Sequence, residues 1–138
     1  MDDESLTALR EMPLFAGLGD EVLRRVLAVA VPHDFPAGEV LTRASESASD
    51  LYLILEGTAT VDNPGAEPIE LAAGEFVGEL ALLVPDAVRS AWVRAKTDLR
   101  CLAISGDDFQ QLLKDEPRIA LAMLPVVARR LWRTRRSV

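Results

Sequence analysis

The chain has 138 residues, a length that fits one domain able to bury a core without disulfide or metal staples. Its hydrophobic fraction of 49%, charged fraction of 27% and net charge of −7 fit a soluble globular protein and argue against a surface that binds nucleic acid throughout. A single cysteine, Cys101, excludes an internal disulfide, and a single histidine, His33, argues against a zinc or iron centre and against Ser-His-Asp or Cys-His catalysis.

In chain order, residues 3–11 read as a short helix that Pro13 interrupts. Leu14 to Leu18 form an apolar turn, and Gly19-Asp20 starts a second helix with Val22, Leu23, Val26 and Leu27 on one face. Near Pro32 the texture changes to short apolar and β-branched runs. These are residues 40–42, 51–55, 58–61 and 69–71, with turns at Glu56-Gly57 and Asn63-Pro64-Gly65. His33 sits at a strand edge and reads as a surface residue. Two further strands follow at 91–95 and 99–104, and Cys101 in the second reads as a buried thiol. Ser105 with Asp107 and Asp108 marks a helix start. Pro117 opens the last helix, which carries Ile119, Leu121, Ala122, Leu124, Val127, Ala128 and Leu131. Pro125 should kink or split it.

The order is thus helices, about eight short strands with one embedded short helix, then helices. This is the pattern of an α+β, mainly β, sandwich or small barrel. One domain over 1–138 is expected, with N-terminal helices at 1–31, the barrel at 32–104 and C-terminal helices at 105–138. Residues 1–5 are acidic and polar, unlike a signal peptide, and no apolar run nears the ~18 residues of a membrane span. A cytoplasmic location is expected. Charge is uneven: residues 1–113 carry −12 and residues 114–138 carry +5. Arg129, Arg130, Arg133, Arg135 and Arg136 on the last helix read first as complements to a helix C-terminus.

The segment 74–95 carries the chemistry. A glycine-marked turn, Gly74 to Gly78, opens a short apolar helix at Glu79-Leu80-Ala81-Leu82-Leu83, and a loop brings Arg89 before the next strand. A helix start offers free N–H groups and a positive dipole end to an anion. Arginine adds a forked donor suited to phosphate. Glu79 would repel phosphate, but it suits a neighbouring hydroxyl. An anion beside a hydroxyl describes a sugar phosphate.

With this order in place, the chain resembles a cyclic nucleotide-binding domain over roughly residues 6–133. The resemblance rests on Leu14-Phe15 ahead of a helix, on Pro36 to Leu41, on Asp50 to Gly57 and, above all, on Gly74-Glu75-Phe76-Val77-Gly78-Glu79-Leu80-Ala81-Leu82 followed by Arg89. It implies an eight-stranded jelly-roll barrel with a phosphate-binding cassette at 74–95. Glu79 then accepts from the ribose 2′-hydroxyl and Arg89 pairs with the cyclic phosphate. Val77, Gly78, Leu80, Ala81 and Ser90 line the phosphate and ribose. The last helix closes over the base or forms a dimer contact.

There are departures. Val77 stands for a frequent phenylalanine, Ser90 for an alanine, and Trp92 for a small hydroxyl residue. Trp92 either stacks on the purine, fills the pocket, or packs elsewhere. The resemblance implies a non-enzymatic regulatory module that binds cyclic AMP or cyclic GMP, with the last helices as its dimer contact. No helix-turn-helix follows the last helix in this sequence, so direct DNA binding is not expected: either the module acts on a partner in trans, or the chain is one piece of a longer protein. The alternative is a degenerate domain, its pocket filled by Trp92, that serves as an interaction or dimerisation surface.

Overall fold

The computed structural model describes residues 3–42, 50–62, 67–78 and 92–136, with side chains from 4 through 132. Helix α1 (Asp3–Glu11), a 3-10 turn (Pro13–Phe15) and α2 (Asp20–Val29) precede the strands. A forked pair joins the two helices: the Arg10 guanidinium donates to Asp20 at 2.9 and 2.7 Å. It holds the Asp20 carboxyl below its ordinary range.

Eight strands follow: β1 (Val31–Phe35), β2 (Val40–Thr42), β3 (Asp50–Glu56), β4 (Thr58–Asp62), β5 (Ile69–Ala72), β6 (Phe76–Val77), β7 (Trp92–Ala95) and β8 (Leu99–Ser105). They form two antiparallel four-stranded sheets, ordered β1-β8-β3-β6 and β2-β7-β4-β5. Helices α3 (Gly106–Asp115) and α4 (Pro117–Arg136) close the described chain. This is the mainly β, jelly-roll arrangement that the sequence implies.

Strand alternation divides the apolar residues into two cores. Leu51, Leu53, Phe76, Leu102 and Ile104 leave the first sheet on one face and pack under the helices, with Leu9, Leu23, Phe109, Ile119 and Met123. Phe35, Tyr52, Ile54, Val77, Leu99 and Cys101 leave it on the other face. They meet Ala59, Leu71, Val93 and Ala95 of the second sheet inside the barrel. The first sheet is therefore covered twice and the second once. Each fully buried Leu, Ile or Phe contributes about 1.5–3 kcal/mol.

One barrel end is tied shut. The links at 36–39, 57, 73–75 and 96–98 are all short. Gly38 N–H donates to Ala95 O at 2.7 Å, Ala95 N–H to Glu39 O at 2.8 Å and Lys96 N–H to Thr58 O at 2.9 Å. The Asp98 carboxylate accepts from Ala37 N–H at 2.9 Å. Gly57 sits at φ 97°, where a β-carbon would meet the Asp98 carbonyl oxygen at 2.2 Å.

Pro125 does not split the last helix: α4 runs from Pro117 to Arg136 as one element. Pro125 and Leu121 both lie on the exposed side, so the carbonyl that loses its donor stays within reach of water. Ser105 does cap α3 as expected, accepting from Asp108 N–H at 3.2 Å, a bond of about 1 kcal/mol.

Candidate ligand site at the open barrel end

The other barrel end holds the long connections. The chain leaves β2 after Thr42 and returns at Asp50. It leaves β4 after Asp62 and returns at Ile69, and it leaves β6 after Val77 and returns at Trp92. At this end Leu41, Val61 and Ile69 are half-buried, while Thr42, Val77 and Val93 are buried. The segment that the sequence singles out thus begins and ends at this end of the barrel.

Its lead-in is rigid. Gly74 N–H donates to Ile54 O and Ile54 N–H to Glu75 O, both at 2.9 Å. The Glu75 carboxylate accepts from Ala72 N–H at 2.8 Å. Gly78, at φ 95°, occupies the left-handed region that glycine enters without strain. Between these glycines, Phe76 and Val77 face opposite ways. Val77 points into the barrel beside its register partner Tyr52, and Phe76 points under the helices.

Phe76, 3% exposed, meets the last helix there. The Arg130 guanidinium lies over its ring, 4.6 Å from the centroid, within the range of a cation–π contact. The sequence gives no sign of this pairing, because the two residues are 54 positions apart and share no motif.

Of the eight candidate site residues, the described structure places Val77, Gly78 and Trp92. Val77 lines the interior and Gly78 forms the threshold. Glu79, Leu80, Ala81, Arg89 and Ser90 lie outside the described residues. Of the three readings of Trp92, the strand register favours the one in which it packs elsewhere. It pairs with the exposed Asp62, while its neighbour Val93 pairs with Val61 and faces inward. The indole therefore leaves the outer face of the second sheet, 37% exposed, and does not fill the barrel. Strand alternation dictates this, because Val93 and Ala95 claim the inner positions.

Two other inward-facing residues were not anticipated. Thr42 is 5% exposed, and among the described residues no other threonine, serine, amide or charged side chain is buried. The ladder between β2 and β7 shifts register between Val40 and Thr42. Thr42 consequently pairs with inward-facing Val93, while Leu41 also packs on the barrel core. Tyr52 is the second. Its ring stands edge-on to Phe35 (centroids 5.5 Å, 84°) and to His33 (6.1 Å, 81°), and His33 stacks on Phe35 at 4.1 Å. His33 is exposed on an edge strand, as expected.

A shallow groove of about 180 Å³ lined by Ala8, Glu11, Met12, Ile54, Leu55, Ala73 and Gly74 lies away from this mouth. It is smaller than the roughly 300–1,000 Å³ of ligand clefts. No cluster of His, Cys, Asp or Glu suited to a metal occurs among the described residues, and none of their helices is long and apolar enough to cross a membrane.

Residues 32–116 match the family model for the cyclic nucleotide-binding domain. The chain belongs to that family. It is 40% identical over 109 residues to the cyclic nucleotide-gated potassium channel RHE_CH03180 of Rhizobium etli, covering 79% of this chain and 30% of the channel. It is 36% identical over 141 residues to the cAMP-activated global transcriptional regulator CRP of Haemophilus influenzae, covering 99% of this chain and 62% of that protein. The catabolite activator protein of Thermus thermophilus superposes with a TM-score of 0.75 at 29% identity, over 86% of this chain and 58% of that one. The chain thus spans between about a third and three fifths of the length of these relatives. All three are regulators or channels rather than enzymes by name.

Proposed function

We propose that this domain binds cyclic AMP or cyclic GMP at the open barrel end and relays occupancy through α4 to a partner. Glu79 takes the ribose hydroxyl, Arg89 the cyclic phosphate, and the backbone of Gly78, Leu80, Ala81 and Ser90 completes the cradle. The observation that carries this reading is the placement of Gly78. A hydrogen-bonded strand pair delivers it, at positive φ, to the end of an apolar barrel, in a chain of the cyclic nucleotide-binding family. The names of the relatives, a cyclic nucleotide-gated channel and cAMP-activated regulators, supply the ligand class.

Phe76 supports the relay. A ligand moves an equilibrium only if it contacts two states differently. The lead-in to the cassette and the last helix touch where the Arg130 guanidinium lies on Phe76, a route by which movement of the cassette would be felt at α4. The outer side of α4 is suited to a second copy of the chain. Exposed Leu121, Leu124, Ala128 and Leu131 recur three, four and three residues apart, the spacing of a coiled-coil seam. Arg129 and Arg130 fall outside that stripe, so like charges do not meet across it. The reading in which Trp92 fills the pocket loses its basis in the outward placement of the indole. A cytoplasmic, trans-acting regulator is the setting we infer.

Isothermal titration with cyclic AMP and with cyclic GMP tests the proposal. Binding in the micromolar range, lost in Arg89→Ala, is the expected result. No heat from the wild-type protein at millimolar ligand overturns it for both nucleotides.

A further inference from the structure

We propose that the last turns of α4 dock on an anionic lipid surface, an interaction separate from the cyclic nucleotide reading above. Charge is the first observation. α4 (Pro117–Arg136) holds six arginines and no acidic residue, which puts +6 on this helix and −13 on the rest of a chain of net −7. The arginine at its start is neutralised locally, because Arg118 donates to Glu116 at 2.7 and 3.0 Å. The other five, at 129, 130, 133, 135 and 136, crowd the C-terminal end. Arg130 lies inward over Phe76, whereas Arg129 is exposed and meets no carboxylate among the described residues. The helix dipole acts within the last turn and is complemented by a cation or two there; five arginines exceed that need.

The second observation is apolar exposure in the same turns. Leu121, Leu124, Leu131 and Trp132 are four of the six large hydrophobic side chains exposed among the described residues. The three leucines belong to the seam suited to a second copy, but Trp132 does not. It lies beside that seam, three residues on from exposed Arg129, and is 63% exposed. An indole flanked by arginines suits a headgroup layer. The ring takes the boundary between acyl chain and water, and arginine stems lie along apolar material while their guanidiniums stay with phosphate. Nucleic acid would supply the phosphates but no apolar phase for Leu131 beside Trp132. The charge of −13 elsewhere orients the molecule, because an anionic surface draws in the end of α4 and repels the rest. A parallel pair joined through the seam would bring two such anchors to one end, and linked anchors bind far more tightly than one.

The test is co-sedimentation of the full chain with phosphatidylcholine vesicles, and with vesicles in which about a third of the lipid is phosphatidylglycerol. We expect binding to the anionic vesicles, at least tenfold weaker binding to the neutral ones, and loss of binding as salt rises. A basic residue at such a surface strengthens association about fivefold. Arg129→Gln combined with Arg133→Gln should therefore weaken it about tenfold or more. Trp132→Ser should weaken it about fivefold. In a Trp92→Phe background, the emission of Trp132 should move to the blue when anionic vesicles are added. Urea midpoints of all variants are measured alongside, and the exposure of Arg129 and Trp132 predicts little change in them. No co-sedimentation of wild type with anionic vesicles overturns the proposal, as does equal binding to both kinds of vesicle. Binding with no blue shift and no loss in Trp132→Ser also overturns it, leaving charge attraction alone. A single-stranded oligonucleotide that binds at the same salt and displaces the protein from vesicles assigns the arginines to nucleic acid instead.

Discussion

Replacing Gly57 by alanine separates backbone strain from steric collision. Gly57 turns β3 into β4 at φ 97°, and a left-handed alanine costs about 1–2 kcal/mol. Its β-carbon would also lie 2.2 Å from the Asp98 carbonyl oxygen and 2.9 Å from Thr97 Oγ1. The first is backbone, so the 96–98 turn has to retreat. That turn donates from Lys96 N–H and Thr97 N–H to Thr58 O at 2.9 and 3.2 Å and accepts from Thr58 N–H on Thr97 Oγ1 at 3.0 Å. Losing two of these at about 0.5–1.5 kcal/mol each adds about 2 kcal/mol, for a total near 3–4 kcal/mol. Gly38, at φ 92°, has nothing within 4 Å of the same β-carbon. Gly38→Ala should therefore cost only the 1–2 kcal/mol of strain, roughly. With a urea slope of about 1–3 kcal/mol/M, the two midpoints should differ by about 1–2 M. Equal midpoints would refute the role given to the 57–98 contact.

Three further outcomes follow from the placements described. Trp92→Thr should change cyclic nucleotide affinity less than about threefold, by titration calorimetry, because the indole leaves the outer face; a binding-silent protein that becomes competent on this change would restore the filled-pocket reading. Burial pushes the Cys101 thiol up to about 12, so the unfolded chain loses that proton first. The stabilisation is full below the ordinary thiol range and is lost as pH rises toward 12. Between pH 8 and 10 wild type should lose about 1.5–2 kcal/mol relative to Cys101→Ala in urea unfolding, and identical pH slopes would contradict it. Leu124→Glu should shift sedimentation velocity from dimer to monomer, given the exposed seam it interrupts; a wild-type monomer at high micromolar concentration removes the seam from the account.

Much of the frame was legible because its signals are local. The Ser105 cap, the Leu51–Leu55 run and the glycine turns each act within a few residues, and the structure places them where the sequence does. β1 was less legible. Val31 to Phe35 contain a proline and no clean alternation, and they become a strand because β8 offers a ladder from Ala103 to Leu99. β6, two residues long, exists only through its pairing with β3. The site divides in the same way. Gly78 and its turn announce themselves by composition. Thr42 does not, because a register shift sets its direction, and neither does Arg130, whose partner Phe76 is distant in sequence. Pro125 misled because the sequence does not show that its helix face is exposed. Trp92 stayed open between three readings until the inward placement of Val93 and Ala95 put it on the outer face.

The central claim, that a cyclic nucleotide occupies the open barrel end and is felt at the last helix, is tested most directly by hydrogen exchange with and without cyclic AMP and cyclic GMP. The account predicts slowed exchange at residues 74–78, 92–93 and 126–132, and unchanged exchange in the tied turns at 36–39, 57 and 96–98. Protection confined to the tied end, or none anywhere at saturating nucleotide, would contradict it.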